Sequence, residues 1–213
     1  VQVNGKEHAV VALSPEDGSI VWKSAAGTVS YAQATLTRFL EQDHFLYFSP
    51  DGVEALDPKT GKKLWSFHVP TLSGNHLTPV VRGDDSHIYV ASQGAPGGGR
   101  LLKLSEVDGR IVVKQQWANG SLRTSCWTLI RLGDYIYGSS GDQVVSVLTA
   151  FNWRTAKIAW RDTLVKVGIQ ANTALSRMRT AGNCSLSAWR MINHWSYAMP
   201  SMTMSAAFFC VDW

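Results

Sequence analysis

Cysteine is scarce in this chain: in 213 residues it occurs only at Cys126, Cys184 and Cys210. Three cysteines without regular spacing make no disulfide framework. The fold must therefore rest on a packed core, and the redox compartment stays open. No run of eighteen apolar residues occurs, which excludes a membrane-spanning helix in this stretch. Amphipathic segments of helical period are missing before about residue 165, which argues against a helical bundle and a parallel α/β sheet. An excess of one charge is missing too. Residues 1–162 hold 16 lysines and arginines against 15 acidic side chains, so the basic footprint of a nucleic-acid binder is absent.

What the chain does have is a phrase used four times. Ala12-Leu13-Ser14-Pro15-Glu16-Asp17-Gly18-Ser19-Ile20-Val21-Trp22 is followed by Ala55-Leu56-Asp57-Pro58-Lys59-Thr60-Gly61-Lys62-Lys63-Leu64-Trp65. A looser copy runs from Leu104 through Asp108-Gly109 to Trp117, and a fourth, from Ala150 to Trp160, has Ala156 where the glycine stood. The closing tryptophans lie 43, 52 and 43 residues apart. A period of about 40–50 residues is the signature of a solenoid, propeller or array.

Each unit reads as four short strands. In the second, Ala34 to Phe39, His44 to Ser49, Val53 to Leu56 and Lys62 to Phe67 are apolar or alternating, and Pro50-Asp51-Gly52 and Asp57-Pro58-Lys59-Thr60-Gly61 are turns. Glycine supplies the positive φ, and proline presets the second turn position. The third and fourth units repeat this order around His87–Ala91 and Tyr135–Gly138, and the first is partial, with a hairpin signal at Asn4-Gly5. The expected fold is all-β: about four four-stranded antiparallel blades of a β-propeller over residues 1–162, with an irregular tail over 163–213. The four tryptophans are expected to be structural and equivalent, each indole docking on the next blade. The chain begins at Val1 inside a blade without an initiator methionine, and reads as a fragment of a larger ring.

Residues with chemistry are sparse. The histidines, His8, His44, His68, His76, His87 and His194, show no metal-ligand spacing and are expected in loops or on strand surfaces. Gly138-Ser139-Ser140-Gly141 has the wrong spacing for a nucleophile elbow. Cys126 reads as a small buried hydrophobe. The glycine-rich stretch 94–99 leads into a strand rather than a helix, so it reads as a hairpin connection and not a phosphate loop. No catalytic residue and no metal site is assigned. In a propeller the first strand of each blade lines the central channel. Its start places Tyr31 and Gln33, His76 and Thr78, and Arg123 and Ser125 at matched positions near one mouth. These are candidates for holding a small polar ligand or a peptide loop, with Arg123 as the anion contact.

The phrase at 55–65 resembles the tryptophan-docking motif of the quinoprotein-like, or PQQ-like repeat, β-propellers. The match is good at 12–22 and 55–65, fair at 104–117 and degraded at 150–160. The resemblance implies a seven- or eight-bladed ring in a periplasmic or otherwise exported protein. Its leading implication is a noncatalytic scaffold or partner-binding domain with no cofactor. The alternative it implies is part of an alcohol dehydrogenase using pyrroloquinoline quinone and calcium. Those enzymes carry a carboxylate cluster and often an adjacent cysteine pair; no Cys-Cys pair occurs here.

After Asp162 the text changes. All five methionines, Met178, Met191, Met199, Met202 and Met204, lie beyond it, and no acidic residue occurs between Asp162 and Asp212. A diverged fifth blade, an unrelated terminal segment and a shifted reading frame are the three readings. The simultaneous change of composition and periodicity favours the last. On that reading, translating the encoding nucleotides beyond codon 162 in another frame restores a turn followed by a closing tryptophan; two frames without such a phrase refute it.

Overall fold

The computed structural model describes residues 9–25, 27–71, 78–93, 96–124, 129–140, 147–163, 171–180, 183–192 and 205–208. Every regular element among them is a strand. Strands β1 (Val11–Leu13) and β2 (Ile20–Lys23) pair as a hairpin. A four-stranded sheet follows in chain order: β3 (Thr35–Phe39), β4 (Gln42–Ser49), β5 (Gly52–Leu56) and β6 (Lys63–His68). The next is β7 (Val81–Arg82), β8 (His87–Ser92), β9 (Gly98–Val107) and β10 (Arg110–Asn119). Then come β11 (Ile130–Leu132), β12 (Tyr135–Ser140), β13 (Val147–Asn152) and β14 (Ile158–Thr163). These are one partial and three complete blades, each an antiparallel meander, with the turns where the sequence puts them.

The core lies between blades. Side chains alternate across a strand, and a middle blade is covered on both faces, so its strands read as continuous apolar runs. From β8 and β9, Ile88, Val90, Leu102 and Leu104 join Leu46, Phe48, Val53 and Ala55 of the second blade. The intervening Tyr89, Ala91 and Leu101 face the other way, against Ile136, Phe151 and Trp153 of the fourth. Ile88, Val90 and Leu102 are fully buried, each contributing about 1.5–3 kcal/mol.

Two of the four closing indoles are equivalent, and two differ from expectation. Trp22 Nε1 donates to the Pro58 carbonyl at 2.8 Å, and Trp117 Nε1 to the Trp153 carbonyl at 3.1 Å. Both acceptors are the second residue of the turn in the following blade. Those turns share a build. The Asp57 carboxylate accepts from the N–H groups of Lys59 and Thr60, and the Asn152 amide oxygen from those of Arg154 and Thr155. The fifth residue has positive φ, 71° at Gly61 and 60° at Ala156. A Cβ at Gly61 would lie 2.5 Å from Cε3 of Trp22, so glycine is required there by the close approach, which adds to the preference that positive φ already gives it.

Trp65 is buried, but its Nε1 has no hydrogen-bond partner among the described residues. The reason lies in the third blade. The β9–β10 hairpin is extended to Val107 and Arg110 and closes on the two residues Asp108 and Gly109, both at positive φ, a tight hairpin turn. The five-residue turn that would offer a carbonyl is missing, and Trp65 packs in the cluster that includes Leu104, Ile111 and Val113. Trp160 is 42% exposed.

Beyond Thr163, where an irregular tail was expected, β15 (Ala171–Thr180), β16 (Asn183–Ile192) and β17 (Ser205–Phe208) form a three-stranded antiparallel sheet. Backbone pairing continues through ten consecutive residue pairs of β15 and β16, because ladder hydrogen bonds need extended backbone and not a period-2 pattern. β15 lies beside β11 and β12.

The indoles can be told apart by substitution. Trp22→Phe and Trp117→Phe each lose a hydrogen bond as well as area. Trp65→Phe loses area but removes an unsatisfied buried N–H, whose cost is about 1–3 kcal/mol. Urea unfolding is expected to show Trp65→Phe less destabilising than the other two by about 1–2 kcal/mol.

Candidate functional site

A meander sends alternate turns to opposite ends of the blade. One face of the molecule therefore collects Leu40–Glu41, residues 83–86 and Gly133–Asp134, together with the turns 14–18, 57–61, 108–109 and 152–156. Cross-blade bonds tie this face together. Leu40 N–H donates to the Asp85 carbonyl at 3.2 Å, from the second blade to the third, while within the fourth blade Trp153 N–H donates to the Asp134 carbonyl at 3.1 Å. The Arg131 guanidinium donates to the Gly83 carbonyl across the boundary between the third and fourth blades.

Asp84 is the hub. Its Oδ1 accepts from the Ser86 N–H at 2.9 Å and lies 2.8 Å from His87 Nδ1, while Oδ2 accepts from Arg154 at 3.3 Å. Partial burial by itself raises the carboxyl's pKa. The Ser86 N–H, His87 and the Ser86 hydroxyl outweigh that and hold it at about 2. Beneath them Trp153, 1% exposed, is stacked between the guanidinium groups of Arg154, 4.0 Å from its ring centre, and Arg131, at 5.6 Å. Its own N–H donates to the Gly133 carbonyl at 3.3 Å.

Two polar clefts open on this face. One of about 500 Å³ is lined by Arg82, Gly83, Asp84, Asp85, Arg131, Leu132 and Gly133. The other, about 310 Å³, is lined by Arg38, Glu41, Gln42, Asp43, Asp57, Pro58 and Lys59. A third, about 500 Å³, lies between the first and second blades. There Glu54 accepts from Tyr47 at 3.1 Å and pairs with Lys63 at 2.6 Å. Burial, with the Glu54 charge, pushes the Tyr47 phenol up.

The channel-mouth candidates belong to the opposite face. Tyr31 is 78% exposed and Gln33 is exposed, whereas Thr78 is fully buried with its hydroxyl unpaired among the described residues. Arg123 is half-buried, with its Nε covered and unpaired. His76 and Ser125 lie outside the described residues, as does Cys126. The matched positions thus include two exposed side chains and one sealed in the core. Arg100, in β9, is buried and donates to the carbonyls of Pro96 and Gly98. Burial lowers its pKa. It anchors the end of the glycine-rich connection, which leads from β8 into β9 as a hairpin.

The expected placement of the histidines needs correcting. His44 is fully buried between Phe39 and Trp65, with ring centres 5.6 and 6.2 Å away. Its Nδ1 meets the Gln42 carbonyl at 3.0 Å, and Nε2 has no partner among the described residues. The ring stands in for an aromatic at an inward position of β4, which the alternation around Leu46 and Phe48 made readable. The Asp84–His87–Arg154 cluster carried no such signal, because Arg154 is seventy residues from Asp84 and only blade stacking joins them. Among the described residues no group of three or more His, Cys, Asp or Glu is arranged to hold a metal ion.

His44 is neutral in the fold, since burial lowers its pKa. A group depressed on folding stabilises fully above its unfolded value, about 6.5, and less as pH falls toward the folded one. His44→Phe is expected to flatten the loss of stability as pH falls below about 6.5, read from urea midpoints. Asp84 follows the same sign lower down: its contribution is present above about pH 4 and lost as pH falls through about 2, and Asp84→Asn removes that limb.

A comparison with curated proteins returns no match. Among solved structures, the chain is similar to the β-propeller domain of Cps50 (Swd1) from Myceliophteria thermophila, at 11% identity and a TM-score of 0.51. The likeness covers 92% of this chain and 64% of that one, and at this identity it shows the fold alone. A family profile described as outer membrane protein assembly factor BamB matches residues 50–183. With the blade phrase, the meander sheets and a match over more than half of its length, the chain belongs to this PQQ-like β-propeller family.

Proposed function

We propose that this chain is a noncatalytic propeller that scaffolds a protein partner in the periplasm, through the face that carries Asp84. The observation that supports the reading is the build of that face. Turns from successive blades are bonded to one another, so the surface is preorganised, and it carries both signs of charge around polar clefts. Such a surface suits recognition of another protein, where complementary charges set partner choice and register, and rigid scaffolds with variable loops are common recognition surfaces. The description of the family as an outer-membrane assembly factor agrees with it. The working unit is the run of blades over 1–162, with the sheet β15–β17 beside the fourth of them.

The test is titration calorimetry of the whole chain against the periplasmic portion of an outer-membrane assembly complex. Lys59 and Arg110 are exposed on this face, and reversing both to Glu is expected to weaken binding about tenfold or more, an effect diminished by salt. Loss of binding on Tyr31→Ala, with the double variant unaffected, moves the partner to the channel mouth. The reading also expects no cofactor. Pyrroloquinoline quinone with calcium is expected to leave the melting temperature unchanged, and a rise that grows with quinone concentration would favour the dehydrogenase alternative.

A further inference from the structure

The link from the third blade to the fourth leaves β10 at Asn119 and begins with Asn119-Gly120, the one Asn-Gly pair among the described residues. Three hydrogen bonds meet on Asn119. Its side-chain Oδ1 accepts from the Ser121 N–H at 2.9 Å and from the Ser121 hydroxyl at 2.8 Å. Its main-chain carbonyl accepts from the Leu122 N–H at 3.2 Å. The first two hold the side chain over the following peptide, as in an Asx turn, and draw electron density from Cγ. The third acts on the neighbouring nitrogen. The Asn119 carbonyl and the Gly120 nitrogen are one conjugated group, so a donor on the oxygen stabilises the charge left when the Gly120 amide loses its proton. From the fourth blade, Arg161 donates to the Ser121 carbonyl at 2.9 Å and brings a positive charge beside the link. Gly120 is exposed, and a Cβ built on it meets nothing within 4 Å. With no side chain of its own, glycine leaves its nitrogen open to close approach.

An activated amide carbon thus stands one residue before an unshielded amide nitrogen. We propose that Asn119 is a site of spontaneous deamidation in the folded protein. Hydroxide takes the Gly120 amide proton, and the nitrogen attacks Asn119 Cγ. The new N–Cγ bond closes a five-membered succinimide as the bond from Cγ to the side-chain nitrogen breaks, and ammonia leaves with a proton from water. Water then opens the ring, at Cγ to give aspartate or at the main-chain carbonyl to give isoaspartate. Both products add a negative charge, and isoaspartate also lengthens the main chain by one carbon. The packing leaves no room for that. A Cβ on Gly98 would lie 2.6 Å from the Asn119 carbonyl oxygen and 2.7 Å from Gly120 Cα, and Asn119 pairs with Gly99 across the ladder. Leu122, three residues on, is buried in the cluster shared by the third and fourth blades. The reaction therefore loosens the seam between those blades, slowly and irreversibly. Asn152 is the internal control. Its Oδ1 accepts the same kinds of bond, from Arg154 and Thr155. The next residue, however, is the buried Trp153, whose N–H is held by the Asp134 carbonyl. None of this depends on the partner proposed above, because the link lies at the end of the blades away from Asp84.

The test is incubation of the whole folded chain in mildly alkaline buffer, followed by tryptic digestion and mass spectrometry. The peptide Gln115–Arg123 is expected to gain the mass that separates a carboxyl from an amide and to split into aspartate and isoaspartate forms, while the peptide holding Asn152 stays unchanged. Gly120→Ala, with circular dichroism to confirm folding, is expected to slow the reaction by about tenfold or more through a raised barrier. Ser121→Ala removes the hydroxyl from Oδ1 and is expected to slow it in the folded chain but not in urea. The isoaspartate form, separated by anion exchange, is expected to melt at a lower temperature than the unmodified chain. An Asn119 that stays intact in the folded chain while it reacts in urea overturns the inference. So does a folded Ser121→Ala chain that reacts as fast as the wild type, or an Asn152 that reacts as fast as Asn119.

Discussion

A four-stranded sheet that is apolar on both faces has to be covered on both, and this constraint shapes the molecule. In the third blade, Ile88 and Val90 of β8 serve one neighbour while Tyr89 and Ala91 serve the other. Neither set is buried without the adjacent sheet. Blade stability is consequently shared: the second and third blades bury each other's side chains in one cluster, the third and fourth in another. Radial repetition follows from this, since each added sheet covers one face and presents another.

Indole seating is a second, more local tie between blades. A tryptophan at the end of one blade reaches a backbone carbonyl that the next blade leaves in a turn, and the ring lies over a residue with positive φ. Trp22 and Trp117 complete this arrangement. Trp65 shows what happens when the receiving turn changes. The lengthened β9–β10 hairpin supplies apolar side chains but no carbonyl, so the indole is buried with its N–H unsatisfied. Hydrophobic area alone suffices to place a tryptophan, whereas its polar edge depends on the conformation of a turn in another repeat.

The face that carries Asp84 is a product of the same stacking. His87 and Ser86 are local partners of Asp84, within three residues. Arg154 comes from the fourth blade, and its guanidinium also covers Trp153, whose carbonyl receives Trp117. One side chain thus links the charge cluster, the cation–π stack and the indole seat. A surface so bonded keeps its shape, which suits it to present a fixed arrangement of charge.

Much of this was legible in the chain itself. The strand order, the turns at 50–52, 57–61 and 108–109 and the partial first blade follow from alternation and from Gly, Pro and Asp at fixed offsets, because these depend on a few neighbouring residues. The matched channel positions followed from repeat arithmetic, yet Thr78 is sealed in the core while Tyr31 is open to solvent, since exposure depends on which loops cover a position. His44 reads as polar by type and is buried by place. Local chemistry by itself determined that this is a repetitive all-β protein with a tryptophan closing each blade. Only the tertiary structure decided which indoles found a carbonyl and which distant charges met at Asp84, because those outcomes depend on surfaces contributed by different blades.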